Sequence, residues 1–234
     1  MLPSFPDVVV LAGGAPMPAD GDAAIAAALD GAALTVAADG GIAHAHRLDR
    51  DVHVLVGDLD SVTDAALARA RTAGTRVIRH PADKDATDLE LALALVADAA
   101  GTTVDGDDAR RVPAEPDVWV VGGAGGRTDH LVGHLLLLTA PRFAGLRLHC
   151  RWGAATLDVV RGGATVHGRA GDTVSLFALH GPADGVTTTG LRFPLTGARL
   201  AAGTTLGLSN RMLTDTATVA VTDGVVAVVR PGDP

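Results

Sequence analysis

The chain has 234 residues, 47% apolar and 20% charged, with 29 glycines, 12 prolines, 3% aromatics and no tyrosine. That length holds one large domain or two modest ones; the apolar content excludes a disordered chain, and glycines without a three-residue period exclude collagen. A formal net charge of −8, from 27 acidic and 19 basic side chains, argues against a general nucleic-acid binder and against a membrane-surface protein.

The first six residues, Met1-Leu2-Pro3-Ser4-Phe5-Pro6, lack the basic stretch and apolar segment of a signal peptide. Strands are then expected at 8–12, 34–38, 52–56 and 76–78, with helices at 23–29, 64–72 and 87–99 between or after them. The polar, proline-bearing stretch 101–116 reads as an exposed loop. A strand at 118–121, a helix at 129–139 and a strand at 146–149 complete the alternation. Apolar strands alternating with helices predict an α/β domain with a mostly parallel sheet covered on both faces. Beyond Cys150 the pattern changes to short strands separated by glycine turns, at 156–160, 164–167, 173–179, 185–189, 204–208, 217–221 and 225–229. Such a series predicts an all-β sandwich. The expected division is therefore an α/β domain at 1–148 and a β-sandwich at 149–234. No apolar run approaches the roughly 18 residues of a membrane span. The single Cys150 has no disulfide partner, suits a reducing cytoplasm, and reads as a core residue of its strand.

Ligands of a doubly wound sheet sit at the carboxyl ends of its strands. Acidic residues collect at those ends: Asp39 after the second strand, Asp58 and Asp60 after the third, Asp83, Asp85 and Asp88 after the fourth, and Asp129 after the fifth. Carboxylates gathered at one edge repel unless a cation lies among them, and hard oxygen ligands suit Mg²⁺ together with substrate phosphates. Asp is also common in turns and caps for backbone reasons, so each residue alone carries a structural reading too. In an extended segment, Asp58 and Asp60 would point the same way. Thr87 and Glu90 have capping-box spacing, which puts Asp85 just before a helix and Asp88 in its first turn. The positive end of that helix favours carboxylate and phosphate, and Lys84 is placed to meet a phosphate. Leu89, Ala92, Leu93 and Val96 would form the buried stripe of the helix.

Gly122-Gly123-Ala124-Gly125-Gly126, between a strand and a helix, suits close backbone approach to phosphate or simply a tight turn, and it is not a Gly-x-x-x-x-Gly-Lys-Ser/Thr loop. His130 and His134 have the i, i+4 spacing of a zinc pair but no evident third ligand; packing or capping is the competing reading.

Several stretches together resemble the thiamine pyrophosphokinase (thiamine diphosphokinase) family. They are Ala38-Asp39-Gly40-Gly41, Gly57-Asp58-Leu59-Asp60-Ser61, Lys84-Asp85-Ala86-Thr87-Asp88-Leu89-Glu90, Gly126-Arg127-Thr128-Asp129-His130, Val186-Thr187-Thr188-Thr189-Gly190-Leu191-Arg192-Phe193 and Gly207-Leu208-Ser209-Asn210. The resemblance implies transfer of the diphosphate of ATP to the hydroxyl of thiamine, with AMP as the second product. It implies a homodimer with thiamine where the two subunits meet. Asp58, Asp60, Asp85 and Asp88 would hold Mg²⁺ and the triphosphate, with Arg127 as a catalytic cation. Asp39, Gly40, Lys84, Thr87, Gly126, Asp129 and His130 would line the nucleotide side. Phe193, Ser209 and Asn210 would contribute to the thiamine pocket. A pyrophosphokinase acting on another alcohol such as a pterin, and a non-catalytic nucleotide- or thiamine-binding regulator, are the alternatives. The regulator is disfavoured because none of the motif aspartates is lost.

Overall fold

Val8-Val9-Val10-Leu11-Ala12 is apolar throughout, and a strand covered on both faces buries all five side chains. These residues form β1 (Val8–Ala12) in a computed structural model that describes residues 6–104 and 110–232. The chain divides into two units, Leu2–His134 and Leu135–Pro234. The first continues with α1 (Asp22–Gly31), β2 (Leu34–Ala38), α2 (Ile42–Arg47), β3 (Val54–Gly57), α3 (Asp64–Thr72), β4 (Arg76–Arg79) and α4 (Asp88–Ala99). A small antiparallel pair, β5 (Thr103–Val104) with β6 (Arg110–Arg111), precedes β7 (Asp117–Gly122) and α5 (Thr128–Thr139).

The first unit is a parallel sheet in the order β7-β1-β2-β3-β4. One face packs Val9, Leu11, Ala37 and Leu55 against Ile25 of α1, Ile42 and Ala45 of α2, and Ala70 of α3. Helix α4 lies along β1, β2 and β3, and the predicted stripe Leu89, Ala92, Leu93 and Val96 is buried. Thr87 caps that helix as its spacing predicts, its Oγ1 accepting from the Glu90 N–H at 3.2 Å. Thr63 does the same for α3 through Ala66, also at 3.2 Å. The chain leaves β1 for β2, β3 and β4 on one side, then returns to place β7 on the other. The order therefore reverses between β1 and β7, where such sheets open a ligand crevice.

The second unit is all-β after α5. Its strands are β8 (Arg147–Trp152), β9 (Ala155–Val160), β10 (Gly163–His167), β11 (Thr173–Ala178), β12 (Ala183–Thr189), β13 (Ala198–Leu200), β14 (Asn210–Arg211), β15 (Thr216–Ala220) and β16 (Val226–Arg230). One antiparallel sheet runs β14-β11-β16-β9-β8 and the other β10-β15-β12-β13. Val160, Leu176 and Val228 of the first meet Val166, Val186, Leu200 and Val219 of the second in one aliphatic core, which makes the unit a sandwich. Cys150 is buried in β8, and burial pushes its thiol well above its usual range.

Two local expectations are corrected, and three short elements carried none. Residues 204–208 form turns, not a strand: Gly207 lies so close to Leu176 that a Cβ would fall 2.4 Å from its carbonyl oxygen, while Leu206 and Leu208 face solvent. The stretch 101–116 carries the β5–β6 pair and buried Val112, although residues 105–109 lie outside the described residues. Helix α2 gave no periodic signal because it has only six residues. Strands β13 and β14 are three and two residues long, too short to show alternation. The first five residues, where a signal sequence was not expected, also lie outside the described residues.

Candidate active site

The acidic edge is built by backbone turns at the ends of β2 and β3. Asp39 leaves β2 with φ of +46°, and Leu59 takes φ of +68° after β3. Left-handed conformations cost about 1–2 kcal/mol for non-glycine residues, so the surrounding structure must hold them in place. At Leu59 the reason is visible. The expected extended Asp58-Leu59-Asp60 segment is instead a tight turn, in which the Asp60 N–H donates to Asp58 Oδ1 at 3.2 Å. That turn drives Leu59 into the core and leaves both aspartates at the rim. Gly57 is required beside them: with φ of +149°, a Cβ there would sit 3.0 Å from both Asp39 Cβ and Asp88 Oδ1.

Carboxylate oxygens of Asp39, Asp58 and Asp60 all lie within 4.8 Å of one another. Asp39 is only 8% exposed, and its Oδ1 is buried without a hydrogen-bond partner. A buried charged oxygen in that state is costly unless a cation meets it. Lys84 balances the other side. Its Nζ lies 2.7 Å from Asp58 Oδ2 and 3.1 Å from Asp88 Oδ1. The Lys84 bond holds the Asp58 carboxyl below its ordinary range, and Asp58 holds the Lys84 ammonium above its own. Burial pushes Asp88 upward, against the pull of Lys84. Asp88 opens α4, as its position after the Thr87 cap requires. Asp85 is exposed, outside the Asp39–Asp58–Asp60 group. Gly40 approaches Ser61, and Ser61 Oγ donates to Asp60 Oδ1 at 3.0 Å.

The loops that follow β1 and β7 are rich in glycine and lie against each other. Gly14, Gly122, Gly123 and Gly125 all have positive φ. The two loops are stitched together, since the Ala15 N–H donates to the Ala124 carbonyl at 2.9 Å. Gly126 has open space around it. Beyond it, Arg127 grips Asp129 through Nε and Nη2 at 3.1 and 2.5 Å. That guanidinium lowers the exposed Asp129 carboxyl to about 2. His130 is exposed, and its ring stands 6.0 Å from that of His134. His134 is buried with Nδ1 3.0 Å from the Gly123 carbonyl oxygen, a contact that neither the zinc spacing nor the glycine pattern suggested.

In the β unit, Phe193 is 61% exposed with the Arg192 guanidinium 5.4 Å above its ring. Asn210 is buried and spent on backbone: Oδ1 accepts from the N–H groups of Phe193 and Arg211 at 3.0 and 2.8 Å, and Nδ2 donates to the Phe193 carbonyl at 2.7 Å. It therefore fixes the Phe193 segment. Ser209 is exposed at φ of +56°, and its N–H donates to Ser175 Oγ at 3.1 Å.

Comparison with known proteins agrees with this arrangement. The thiamin pyrophosphokinase catalytic-domain family matches residues 25–150, more than half the chain, and the thiamin pyrophosphokinase vitamin B1 binding-domain family matches residues 164–226. The thiamine pyrophosphokinase of Bacillus subtilis (strain 168) is 25% identical over 180 residues, covering 76% of this chain and 77% of that protein. A crystal structure of the Bacillus subtilis protein superposes with a TM-score of 0.75 at 22% identity, covering 97% of this chain and 99% of that one. The Candida albicans thiamin pyrophosphokinase gives 0.75 at 15% identity, over 97% and 90% of the two chains. With both family domains matched in order and the clustered aspartates in place, this chain belongs to the thiamin pyrophosphokinase family.

Proposed function

We propose that this chain transfers the diphosphate group of ATP to the hydroxyl of thiamine, yielding thiamine diphosphate and AMP, with Mg²⁺ held at the acidic edge of its α/β unit. The observation that carries the metal assignment is the Asp39–Asp58–Asp60 group with its buried, unpartnered Asp39 Oδ1. Three hard carboxylates fit Mg²⁺, which binds few protein oxygens and shares the rest of its shell with phosphate and water. Bound there, the ion supplies charge stabilisation for the triphosphate. Asp88 and Asp85, at and just before the start of α4, complete the acidic edge on the triphosphate side.

The reaction needs the thiamine oxygen to attack the β-phosphorus while the bond from that phosphorus to the α–β bridging oxygen breaks. AMP leaves with the bridging oxygen, and the hydroxyl proton passes to a carboxylate, Asp60 or Asp88. Such transfers depend on positioning and on charge placed ahead of the reaction. Lys84 and Arg127 are the cations for the phosphate oxygens. Lys84 rests between Asp58 and Asp88, and Arg127 is exposed, so both can turn to a ligand. Gly40, Thr87, Gly126, Asp129 and His130 line the nucleotide side. Phe193 and Ser209 form the thiamine side, with Phe193 as the ring against the cationic thiazolium and Asn210 holding the Phe193 segment in place. Residues 1–148 act as the catalytic domain and 149–234 as the thiamine and dimer domain.

Two copies form the working enzyme in this reading. Phe193, Leu206, Leu208 and Leu213 of the β unit are exposed apolar side chains of the kind a partner covers. No helix among the described residues is long and apolar enough to cross a membrane, and we place the protein in the cytoplasm. Incubation with ATP, Mg²⁺ and thiamine tests the function: AMP and thiamine diphosphate should appear in equal amounts. ADP in place of AMP would exclude diphosphoryl transfer, and AMP release with a pterin alcohol alone would assign a different acceptor. Light scattering should give twice the mass of one chain.

A further inference from the structure

Two buried histidines take no part in the chemistry above, and both hold the loops that follow β1 and β7. His44, on α2, has the Ala12 carbonyl as its backbone partner. His134, on α5, is 9% exposed and reaches the carbonyl of Gly123 at 3.0 Å. A carbonyl only accepts, so Nδ1 of His134 carries the proton. The contact is tight from both sides. A Cβ on Gly123, which has φ of +91°, would lie 2.9 Å from that nitrogen.

A loop that binds phosphate through its backbone must turn its carbonyls away and its N–H groups outward. Here the Gly123 carbonyl is taken by His134 and the Ala124 carbonyl by the Ala15 N–H. The next three N–H groups, of Gly125, Gly126 and Arg127, have no acceptor among the described residues. They stand just before α5, whose twelve residues add a positive end. We infer that His134 is a positioning residue for the nucleotide: by holding the Gly123 carbonyl inward, it keeps the N–H groups of 125–127 directed at a phosphate. This rests on the ATP site assigned above and names a residue that sets its geometry. His134 touches no reacting atom.

The test is substitution with and without the donor. In Asn, Nδ2 hangs on Cγ as Nδ1 does in His, so His134→Asn keeps the hydrogen bond; His134→Leu keeps bulk and loses it. Binding of a non-cleavable ATP analogue with Mg²⁺ is read by calorimetry, and KM for each substrate by kinetics. In His134→Leu, analogue affinity should fall and the ATP KM rise about tenfold, with the thiamine KM unchanged. His134→Asn should stay within about threefold of the parent. If His134→Leu fails to fold, His134→Met, whose thioether donates no hydrogen bond, takes its place with the same expectation. Unchanged ATP affinity without the donor would overturn the inference. So would Asn failing to rescue, or both KM values and the melting temperature moving together. If the parent chain binds the analogue but makes no thiamine diphosphate, the functional reading fails while the His134 result stands; if it binds no nucleotide, both fail.

Discussion

The two units solve opposite problems. The α/β unit buries β1, β2 and β3 on both faces, so these strands are apolar apart from buried Thr35, and their charged groups are pushed to the strand ends. The β unit leaves one face of many strands in water, and β15 alternates exposed and buried along Thr216–Ala220. One group of charges in the first unit is thereby gathered at the strand ends, where Asp39, Asp58, Asp60, Lys84 and Asp88 meet. The second unit offers an exposed ring, a buried amide and aliphatic surface instead. One part is suited to hold phosphate and metal, the other a cationic organic ring. Of the four non-glycine residues with positive φ among the described residues, Asp49 lies away from the candidate site, and the other three are Asp39 and Leu59 in the first unit and Ser209 in the second. In those three cases a strained turn is kept at a candidate site residue or beside one.

The largest effect should come from the acidic edge. Asp58→Asn removes a charged oxygen from the metal group and should lower kcat by about 10³-fold or more, with circular dichroism and melting temperature little changed. Activity close to the parent would break the claim that this unit carries the chemistry. Next in size is Leu176→Ala, which hollows the sandwich core where Leu176 is 1% exposed. Chemical unfolding should show a loss of about 2–5 kcal/mol. A loss under 1 kcal/mol would mean the sandwich does not depend on that aliphatic core.

Asn210→Ala should be milder and more selective. It frees the Phe193 backbone, costs about 1–3 kcal/mol of stability, and should raise the thiamine KM without moving the ATP KM. An equal change in both would dissolve the division of labour between the units. The smallest effect is electrostatic. Arg127→Met should move the Asp129 carboxyl from about 2 toward about 3.9 in an NMR titration. The sign follows from a depressed carboxylate: whatever stability the pair gives is present above about pH 3.9 and lost as pH falls through about 2. A midpoint unchanged by the substitution would show that Arg127 is not what holds Asp129.

Much of this was open to reading from residue order, because the signals were local. Runs such as Val8-Val9-Val10-Leu11-Ala12 predict a strand buried on both faces, and the Thr87-x-x-Glu90 cap and Leu89–Ala92–Leu93–Val96 stripe fix both the start and the buried face of α4. Alternation of strand and helix, followed by strands alone, determined the two fold classes, and aspartates after successive strands pointed to one acidic edge. Turn handedness was not local in the same sense. Leu59 adopts a left-handed conformation because the core accepts its side chain, so the Asp58–Asp60 pair is grouped by a tight turn and not by an extended strand. Gly207 holds a turn because Leu176 lies against it, a contact between residues 31 positions apart in sequence. Only tertiary structure brings Asp39 against Asp58 and Asp60, leaves its Oδ1 buried without a partner, and places Lys84 between Asp58 and Asp88. The sequence by itself determined which residue types stand at the ends of strands, since period and propensity act over a few neighbours. Which of those residues share one site was decided by strand order and by backbone turns that distant packing enforces.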